Sequence, residues 1–153
     1  MCKLFSILSV PSNKPNIALL KVPSSIVLQE VGNLNQSLMY PCLLDAGEDY
    51  YYTTLEDWGK VFYYTYIDFN MPSYIAARMD CEDFGILLKG LISSLFGLNS
   101  FAFVVGDIPQ GAHGFNMLRT EDGYFLWEPQ SGFGLAEPFR IGENGYYPHY
   151  ALL

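Results

Sequence analysis

Three residues of this sequence have the types and the spacing needed for thiol chemistry: Cys81, His113 and Glu128. A cysteine attacks a carbonyl as its thiolate, and a neighbouring imidazole takes the thiol proton and later donates it to the leaving group. A carboxylate that accepts the remaining ring N–H fixes the tautomer of the histidine. The three residues therefore predict a catalytic Cys-His-Glu triad, with Cys81 as nucleophile, His113 as general base and acid, and Glu128 as the orienting acid.

Cys81 begins the segment of the chain that has the clearest helical pattern. Apolar residues recur at i, i+3 and i+4 along CEDFGILLKGLISSLFGL, which predicts a buried helix with Asp80 as its N-cap and Gly97 as its C-terminal stop. The unpaired N–H groups at a helix start stabilise a thiolate. Asp80, Glu82 and Asp83 act in the opposite direction wherever they point at the sulfur, so the sequence leaves the pKa of the thiol open.

His113 and Glu128 fall on two segments, HGFNMLRT and YFLWEP, that predict a β-hairpin around T-E-D-G. A buried acid in an apolar strand needs a partner, and the imidazole supplies one. The two residues face each other if the turn is centred between positions 120 and 121. A two-residue turn at 122–123 would instead place Glu128 opposite Met117, and the triad would then require a longer loop or a bulge.

Two other polar residues near this region are expected to have structural roles. Asn116 follows His113 by three positions on a strand, so its side chain points to the opposite face and is expected to bond the backbone. His149 lies in a C-terminal segment without a partner pattern, and we expect a surface or packing residue there.

The remaining segments supply the elements that must position the triad. Residues 1 to about 50 predict short strands and loops, because short apolar stretches are interrupted by P-S-N-K-P-N, V-P-S-S and G-N-L-N. A helix capped by Thr54 is predicted over TLEDWGKVFYYTYIDF, and a strand over FAFVVGD. The length of 153 residues, without repeat or linker, predicts a single domain, 1–153.

The stretch MDCEDFGILLKGL and the segment AHGFNMLRTEDGYFLWEP resemble the catalytic core of the transglutaminase-like superfamily. This superfamily belongs to the papain-like group of cysteine peptidases, amidases and acyltransferases, and the resemblance covers residues 74–132. It implies an α+β fold in which the catalytic cysteine starts a buried helix packed on an antiparallel sheet that carries the histidine and the acid. The family usually has aspartate where this chain has Glu128.

The resemblance implies a cysteine peptidase, amidase or acyltransferase that acts on peptide-like amide bonds of a peptide or protein through a thioester acyl-enzyme, without a cofactor. The backbone N–H of Cys81 would form half of the oxyanion hole, and Trp58, Asn70 and Tyr74 are candidates for the other half. Two alternatives stay open. One is a catalytically inactive structural or binding domain of the same fold, and the other is a different fold in which Cys81 is merely buried.

Composition excludes several other classes of protein. Acidic residues outnumber basic ones 16 to 8, which gives a formal net charge of −8, so nucleic acid is not expected as a partner. Three widely spaced cysteines and two histidines suggest neither a zinc site nor a disulfide framework. The N-terminus lacks a signal-peptide pattern, and no run reaches the roughly 18 apolar residues of a membrane span. We therefore expect a soluble, cytoplasmic protein.

Overall fold

The computed structural model describes residues 13–34, 40–44, 47–68, 75, 79–134 and 137–153, and these ranges contain two sheets and three α-helices. In chain order the elements are β1 (Leu20–Pro23), α1 (Ser24–Asn33), β2 (Tyr40–Cys42), β3 (Asp49–Tyr52), α2 (Leu55–Tyr63), a π-helical turn (Tyr64–Asp68), α3 (Cys81–Phe96), β4 (Ala102–Ile108), β5 (Gly111–Thr120), β6 (Gly123–Trp127) and β7 (Tyr147–Leu152), with 3-10 turns at Ser131–Phe133 and Glu143–Gly145. Across the described ranges, no helix has the length and apolar character needed to cross a membrane.

The larger sheet has the strand order β2-β7-β4-β5-β6, and the smaller one pairs β1 with β3. Strand β2 runs parallel to β7, whereas the other pairs are antiparallel. The sheet is therefore mixed, although β5, which carries His113, pairs antiparallel with both of its neighbours. In the described part of the segment that carried the resemblance, 74–132, the strands are β4, β5 and β6, so this segment holds no information about the strands that complete the sheet.

Strand β5 is covered on both faces by apolar side chains, because consecutive residues of a strand point to opposite faces. Phe115 and Met117 belong to one core, and Leu118 belongs to another. The first core also holds Val27, Val31 and Tyr50, and the second also holds Trp58, Leu88 and Ile92. Burial on both faces fixes the path of β5, which begins with the segment that carries His113.

The two predicted helices are confirmed, but one predicted cap is wrong. The Thr54 hydroxyl accepts a hydrogen bond from the N–H of Asp57 at 3.2 Å and so caps α2. Gly97 ends α3 in a left-handed conformation with φ of 71°, as its position predicted. Asp80 precedes α3 in an extended conformation, and its side chain makes no capping hydrogen bond.

Residues 1–50 contain a helix that the sequence analysis did not predict. The helix α1 follows Pro23 directly, within the V-P-S-S stretch that was interpreted as a loop. Proline is compatible with a helix start because its fixed φ and missing N–H cost nothing there. Val27 and Val31 are fully buried, so packing against the sheet stabilises a helix whose boundary signals are weak. The apolar N-terminal run lies outside the described residues.

Candidate functional site

A buried cluster of hydrogen-bonded side chains lies where β5 begins and β6 ends. His113 Nε2 lies 2.8 Å from Glu128 Oε2, and the Tyr146 hydroxyl donates to the same oxygen at 3.1 Å. Glu128 Oε1 accepts from the backbone N–H of Gln130 at 2.9 Å and from its side-chain amide at 3.2 Å. Glu128 is only 2 % exposed, so these donors stand in for water around its carboxylate. We call His113, Glu128, Gln130 and Tyr146 the imidazole–carboxylate cluster.

The cluster determines which ring nitrogen of His113 carries hydrogen. An ionised carboxylate can only accept, so the contact with Glu128 places an N–H on Nε2. The side-chain amide nitrogen of Gln130 lies 3.2 Å from the same Nε2, and both groups are donors to one carboxylate. In the neutral ring Nδ1 is then the hydrogen-bond acceptor. The Phe133 ring, with its centroid 4.7 Å from that of the imidazole, forms an apolar wall beside it.

The register of the hairpin explains how Glu128 reaches His113. Thr120 pairs with Gly123, so the turn occupies positions 121–122 rather than 122–123. If the pairing is continued past β6, Gln130 lies opposite His113, and Glu128 lies diagonally across from it. Diagonal neighbours on one face of a sheet are within reach of long side chains. The contact therefore needs neither a longer loop nor a bulge.

Cys81 is the first residue of α3 and lies against β5 at Gly114, the neighbour of His113. A Cβ atom on Gly114 would lie 3.2 Å from the carbonyl carbon and oxygen of Cys81, so glycine permits this close approach. The Cys81 thiol donates to Glu82 Oε2 at 3.1 Å. The fold thus brings Cys81 beside the strand that carries His113, while the thiol hydrogen is directed to a carboxylate of its own helix.

The pKa of the Cys81 thiol is raised above its ordinary value. Burial is the largest cause, and the hydrogen bond to Glu82 raises the pKa further. The N–H of Gly114 lowers the pKa but is outweighed. The hydrogen bond from Cys81 is in turn the main reason why the pKa of Glu82 is lowered. Burial and the nearby carboxylate thus outweigh the helix start, and both shifts favour a protonated thiol beside an ionised Glu82.

The two polar residues that were expected to be structural make backbone or surface contacts. The amide of Asn116 donates to the carbonyl oxygens of Gly85 at 3.1 Å and Ala102 at 3.0 Å, which confirms that it bonds the backbone. His149 Nε2 lies 2.8 Å from Asp107 Oδ2 in a solvent-exposed contact. Neither residue belongs to the imidazole–carboxylate cluster.

The candidates for a second oxyanion donor receive no support. Trp58 is fully buried, and its ring N–H donates to the carbonyl oxygen of Arg119 at 2.9 Å. Asn70 and Tyr74 lie outside the described residues. In the part of the chain that is described, no group of three or more histidine, cysteine, aspartate or glutamate side chains could hold a metal ion.

A separate cleft of about 530 Å³ lies at the turn end of the hairpin, far along β5 from His113. Its lining residues are Glu30, Asn33, Leu34, Asp122, Gly123, Tyr124, Arg140 and Ile141. Glu30 accepts two hydrogen bonds from Arg119, at 2.8 and 2.9 Å. Arg140 Nη1 donates to the carbonyl oxygen of Asp122 at 3.0 Å, and its guanidinium lies 3.8 Å from the centroid of the Phe125 ring. The cleft therefore combines carboxylate, amide and guanidinium groups with apolar walls.

No protein-family model matches the chain, and no curated protein matches it. Solved structures do match. PSL1a, solved as a complex with E64, has a TM-score of 0.61 at 18% identity, over 88% of this chain and 51% of that one. The Polyporus squamosus lectin bound to the human-type influenza-binding epitope Neu5Aca2-6Galb1-4GlcNAc has a TM-score of 0.64 at 16% identity, over 88% of this chain and 50% of that one. This likeness shows the fold alone, and the chain spans about half the length of both structures.

These matches correct the predicted family and fold class. The transglutaminase-like, papain-like α+β core is wrong, since the fold is one that the chain shares with half of a lectin chain and that is built mainly around a mixed sheet. The resemblance misled because a cysteine at a helix start and a histidine and acid on a hairpin are local patterns. Local patterns do not determine strand order, which depends on contacts between distant segments.

The predicted enzyme and its substrate are corrected as well. The expectation of a cysteine peptidase, amidase or acyltransferase acting on peptide or protein amides rested on the transglutaminase-like core, and the matching structures do not have that core. The state of the thiol agrees with this correction. Thiol catalysis requires the thiolate, and burial and the hydrogen bond to Glu82 raise the pKa of the Cys81 thiol, which disfavours that form.

Two members of the cluster, Gln130 and Tyr146, were not predicted from the sequence. Gln130 carried a usable signal, because it follows Glu128 by two positions in E-P-Q and an extended chain places such residues on one face. Tyr146 carried none. It precedes β7, 18 residues after Glu128, and only the strand order brings it to the carboxylate.

Proposed function

We propose that residues 1–153 form one ligand-binding domain whose ligand contacts Cys81 and His113 beside Glu128. The observation that carries the proposal is the buried 2.8 Å contact between His113 Nε2 and Glu128 Oε2, which holds the imidazole in one tautomer in advance of any ligand. A fixed polar group beside an aromatic wall is typical of small-molecule sites. Such preorganisation reduces the free energy lost on binding.

The ligand class that fits this site is a small molecule that brings its own hydrogen-bond donor. When the His113 ring is neutral, its Nδ1 is an acceptor, so the complementary ligand group is an N–H or an O–H. Glu128 is already engaged by His113, Gln130 and Tyr146, so its carboxylate has little capacity left for a ligand. The likeness to PSL1a in complex with E64 supports a small-molecule ligand and makes E64 the first probe.

A second candidate, glycan binding, is favoured by the separate cleft at the turn end of the hairpin. Sugar hydroxyls both donate and accept, and this cleft offers carboxylate and amide oxygens from Glu30, Asn33 and Asp122 together with the guanidinium of Arg140. Its volume of about 530 Å³ lies within the range of ligand pockets. The likeness to the lectin bound to Neu5Aca2-6Galb1-4GlcNAc supports this candidate.

Calorimetric titration of the full chain with E64 tests the first proposal, and intact-mass measurement after denaturation reports whether the molecule stays attached. We expect one E64 per chain, at least about tenfold weaker binding in Cys81→Ser, and unchanged binding in Cys42→Ser. Cys42 is a matched control, since it is a second free cysteine and is exposed. The trisaccharide is titrated in parallel, with Asp122→Asn as the variant of the separate cleft.

Three results would contradict the E64 proposal. Wild type could fail to bind E64, Cys42→Ser could weaken binding as much as Cys81→Ser, or wild type could steadily consume an added peptide amide in a Cys81-dependent way. The last result would contradict a role in binding alone, because binding consumes no substrate. Trisaccharide binding that Asp122→Asn weakens, with no response to E64, would favour the glycan candidate instead.

We also propose a cytoplasmic location. Cys42 and Cys81 both carry free thiols, which supports a compartment that keeps thiols reduced. Cell fractionation of a tagged chain checks this, and recovery of the chain from the medium or the membrane pellet would contradict it.

A further inference from the structure

A second, smaller cavity adjoins the imidazole–carboxylate cluster. It has a volume of about 140 Å³ and is lined by Pro109, Gln110, Phe133, Asn144 and Tyr146. Two of these residues also belong to the surroundings of His113. Phe133 packs beside the imidazole, and Tyr146 donates its hydroxyl hydrogen to Glu128. The cavity therefore shares two of its walls with the site proposed above.

The loop that forms one side of this cavity has an unusual backbone. Asn144 has φ of 55° and is the only non-glycine residue with positive φ in the described part of the chain. Gly142 and Gly145, on either side of it, are also left-handed. A Cβ on Gly145 would lie 2.8 Å from Pro109 Cγ, so glycine lets this loop close against the β4–β5 turn. This backbone holds Asn144 at the cavity wall, a position to which asparagine is better suited than most residues.

The polar groups at the cavity are two amides. Neither Gln110 nor Asn144 makes a side-chain hydrogen bond within the described residues, and no charged side chain lines the cavity. An amide offers both donors and an acceptor, so the two together suit a group that does the same. The other walls are the apolar Pro109 and the two aromatic rings.

From this geometry we propose that the cavity is a subsite for a small uncharged group, a carboxamide or a hydroxyl-bearing group, of the ligand bound at Cys81 and His113. The volume equals that of about four to five water molecules at roughly 30 Å³ each, which limits the group to a similar number of non-hydrogen atoms. This assignment of ligand chemistry rests on the proposed function, because it treats the cavity as part of the same site.

Acetamide is the probe, since it is uncharged, has four non-hydrogen atoms and both donates and accepts. Titration of the ¹⁵N-labelled full chain, followed by NMR, should give saturable shifts of the Gln110 and Asn144 side-chain amides, and acetate at equal concentration should not. Asn144→Gly removes the side-chain amide at a position with positive φ, a conformation that glycine adopts without strain, so the chain should remain folded. We expect roughly two- to tenfold weaker acetamide binding in this variant, the loss of one hydrogen bond.

The variant Gln110→Ala repeats the test on the other amide, and Cys81→Ser should leave acetamide binding unchanged because Cys81 does not line the cavity. With E64 and acetamide both bound to wild type, an interligand nuclear Overhauser effect between them is expected. The subsite assignment is overturned if acetamide gives no saturable shifts, if acetate binds equally well, if both amide variants bind as wild type, or if no interligand effect appears. Failure of E64 to bind would instead contradict the proposed function, and the acetamide titrations would then test the cavity by themselves.

Discussion

The Cys81 thiol donates a hydrogen bond to Glu82 Oε2 at 3.1 Å, between consecutive residues at the start of α3. A helix start ordinarily stabilises a thiolate through its free N–H groups. Here the burial of the sulfur, and after it the adjacent carboxylate, act against the thiolate and raise the pKa of Cys81. A cysteine at a helix start can therefore be reactive or unreactive, depending on where one neighbouring side chain points.

This relationship predicts how Cys81 reacts with iodoacetamide as the pH is changed. Only the thiolate reacts, so labelling of wild-type Cys81 should have its midpoint above about 8.5, the value for an unperturbed cysteine. Glu82→Gln removes a negative charge that opposes ionisation, so the midpoint should move down towards the ordinary value. The measurement is the rate of Cys81 labelling against pH, followed by peptide mapping so that the other cysteines do not interfere.

Asp83→Asn is the matched control, because Asp83 lies in the same helical turn but is not among the groups that shift the pKa of Cys81. Its labelling midpoint should equal that of wild type. A wild-type midpoint below pH 8, or equal shifts in the two variants, would show that Glu82 does not control the thiol.

Removal of the Glu128 side chain should destabilise the fold strongly. Glu128→Ala leaves His113 Nε2, the Tyr146 hydroxyl and the Gln130 N–H without their acceptor in a buried place. Breaking a buried, hydrogen-bonded partnership of this kind costs about 3–5 kcal/mol in the free energy of unfolding. Glu128→Gln keeps the shape and one oxygen, so we expect a smaller loss. Urea denaturation measures both.

The control for the two Glu128 variants is Glu56→Gln, because the side chain of Glu56 is 84% exposed. This substitution should change the free energy of unfolding by no more than about 0.5 kcal/mol. Equal effects of Glu128→Ala and Glu56→Gln would mean that the imidazole–carboxylate cluster contributes little to stability.

Substitution of alanine for two glycines of α3 should change the free energy of unfolding in opposite directions. A Cβ on Gly85 would lie 2.7 Å from Cδ2 of Phe103, a ring that is 8% exposed and packed between the helix and the sheet. Gly85→Ala should therefore lower the free energy of unfolding by about 1–3 kcal/mol, as overpacking does. A Cβ on Gly90 would meet nothing within 4 Å, so Gly90→Ala should raise it by roughly 0.5–1 kcal/mol. Urea denaturation of both variants checks this, and shifts of the same sign would contradict it.

Several local features were predictable because short-range physics determines them. The helical period from Cys81 to Phe96, its stop at Gly97, the Thr54 cap and the hairpin around T-E-D-G all depend on residues within a few positions of one another. The contact between His113 and Glu128 was predicted from residue type, since a buried acid needs a partner. The turn at positions 121–122 lies one position from each of the two registers that the sequence left open.

The helix α1 and the family were not predictable in the same way. The start of α1 carries no side-chain capping hydrogen bond, and the helix exists because Val27 and Val31 are buried against the sheet. The papain-like resemblance was built on 59 residues that contain three neighbouring strands. Those strands pair in a similar way in many sheets, so their pattern did not identify the fold.

By itself, the sequence determined which polar side chains would need hydrogen-bond partners in the fold. It also determined the helix and the hairpin that carry them. Only the tertiary structure decided what surrounds them: Tyr146 reaches Glu128 because β7 is inserted between β2 and β4, and Cys81 lies against Gly114 because α3 packs on β5. The physical reason is that periodicity and capping act within a few residues. Burial, the state of the Cys81 thiol and the environment of Glu128 are set by contacts between segments far apart in the chain.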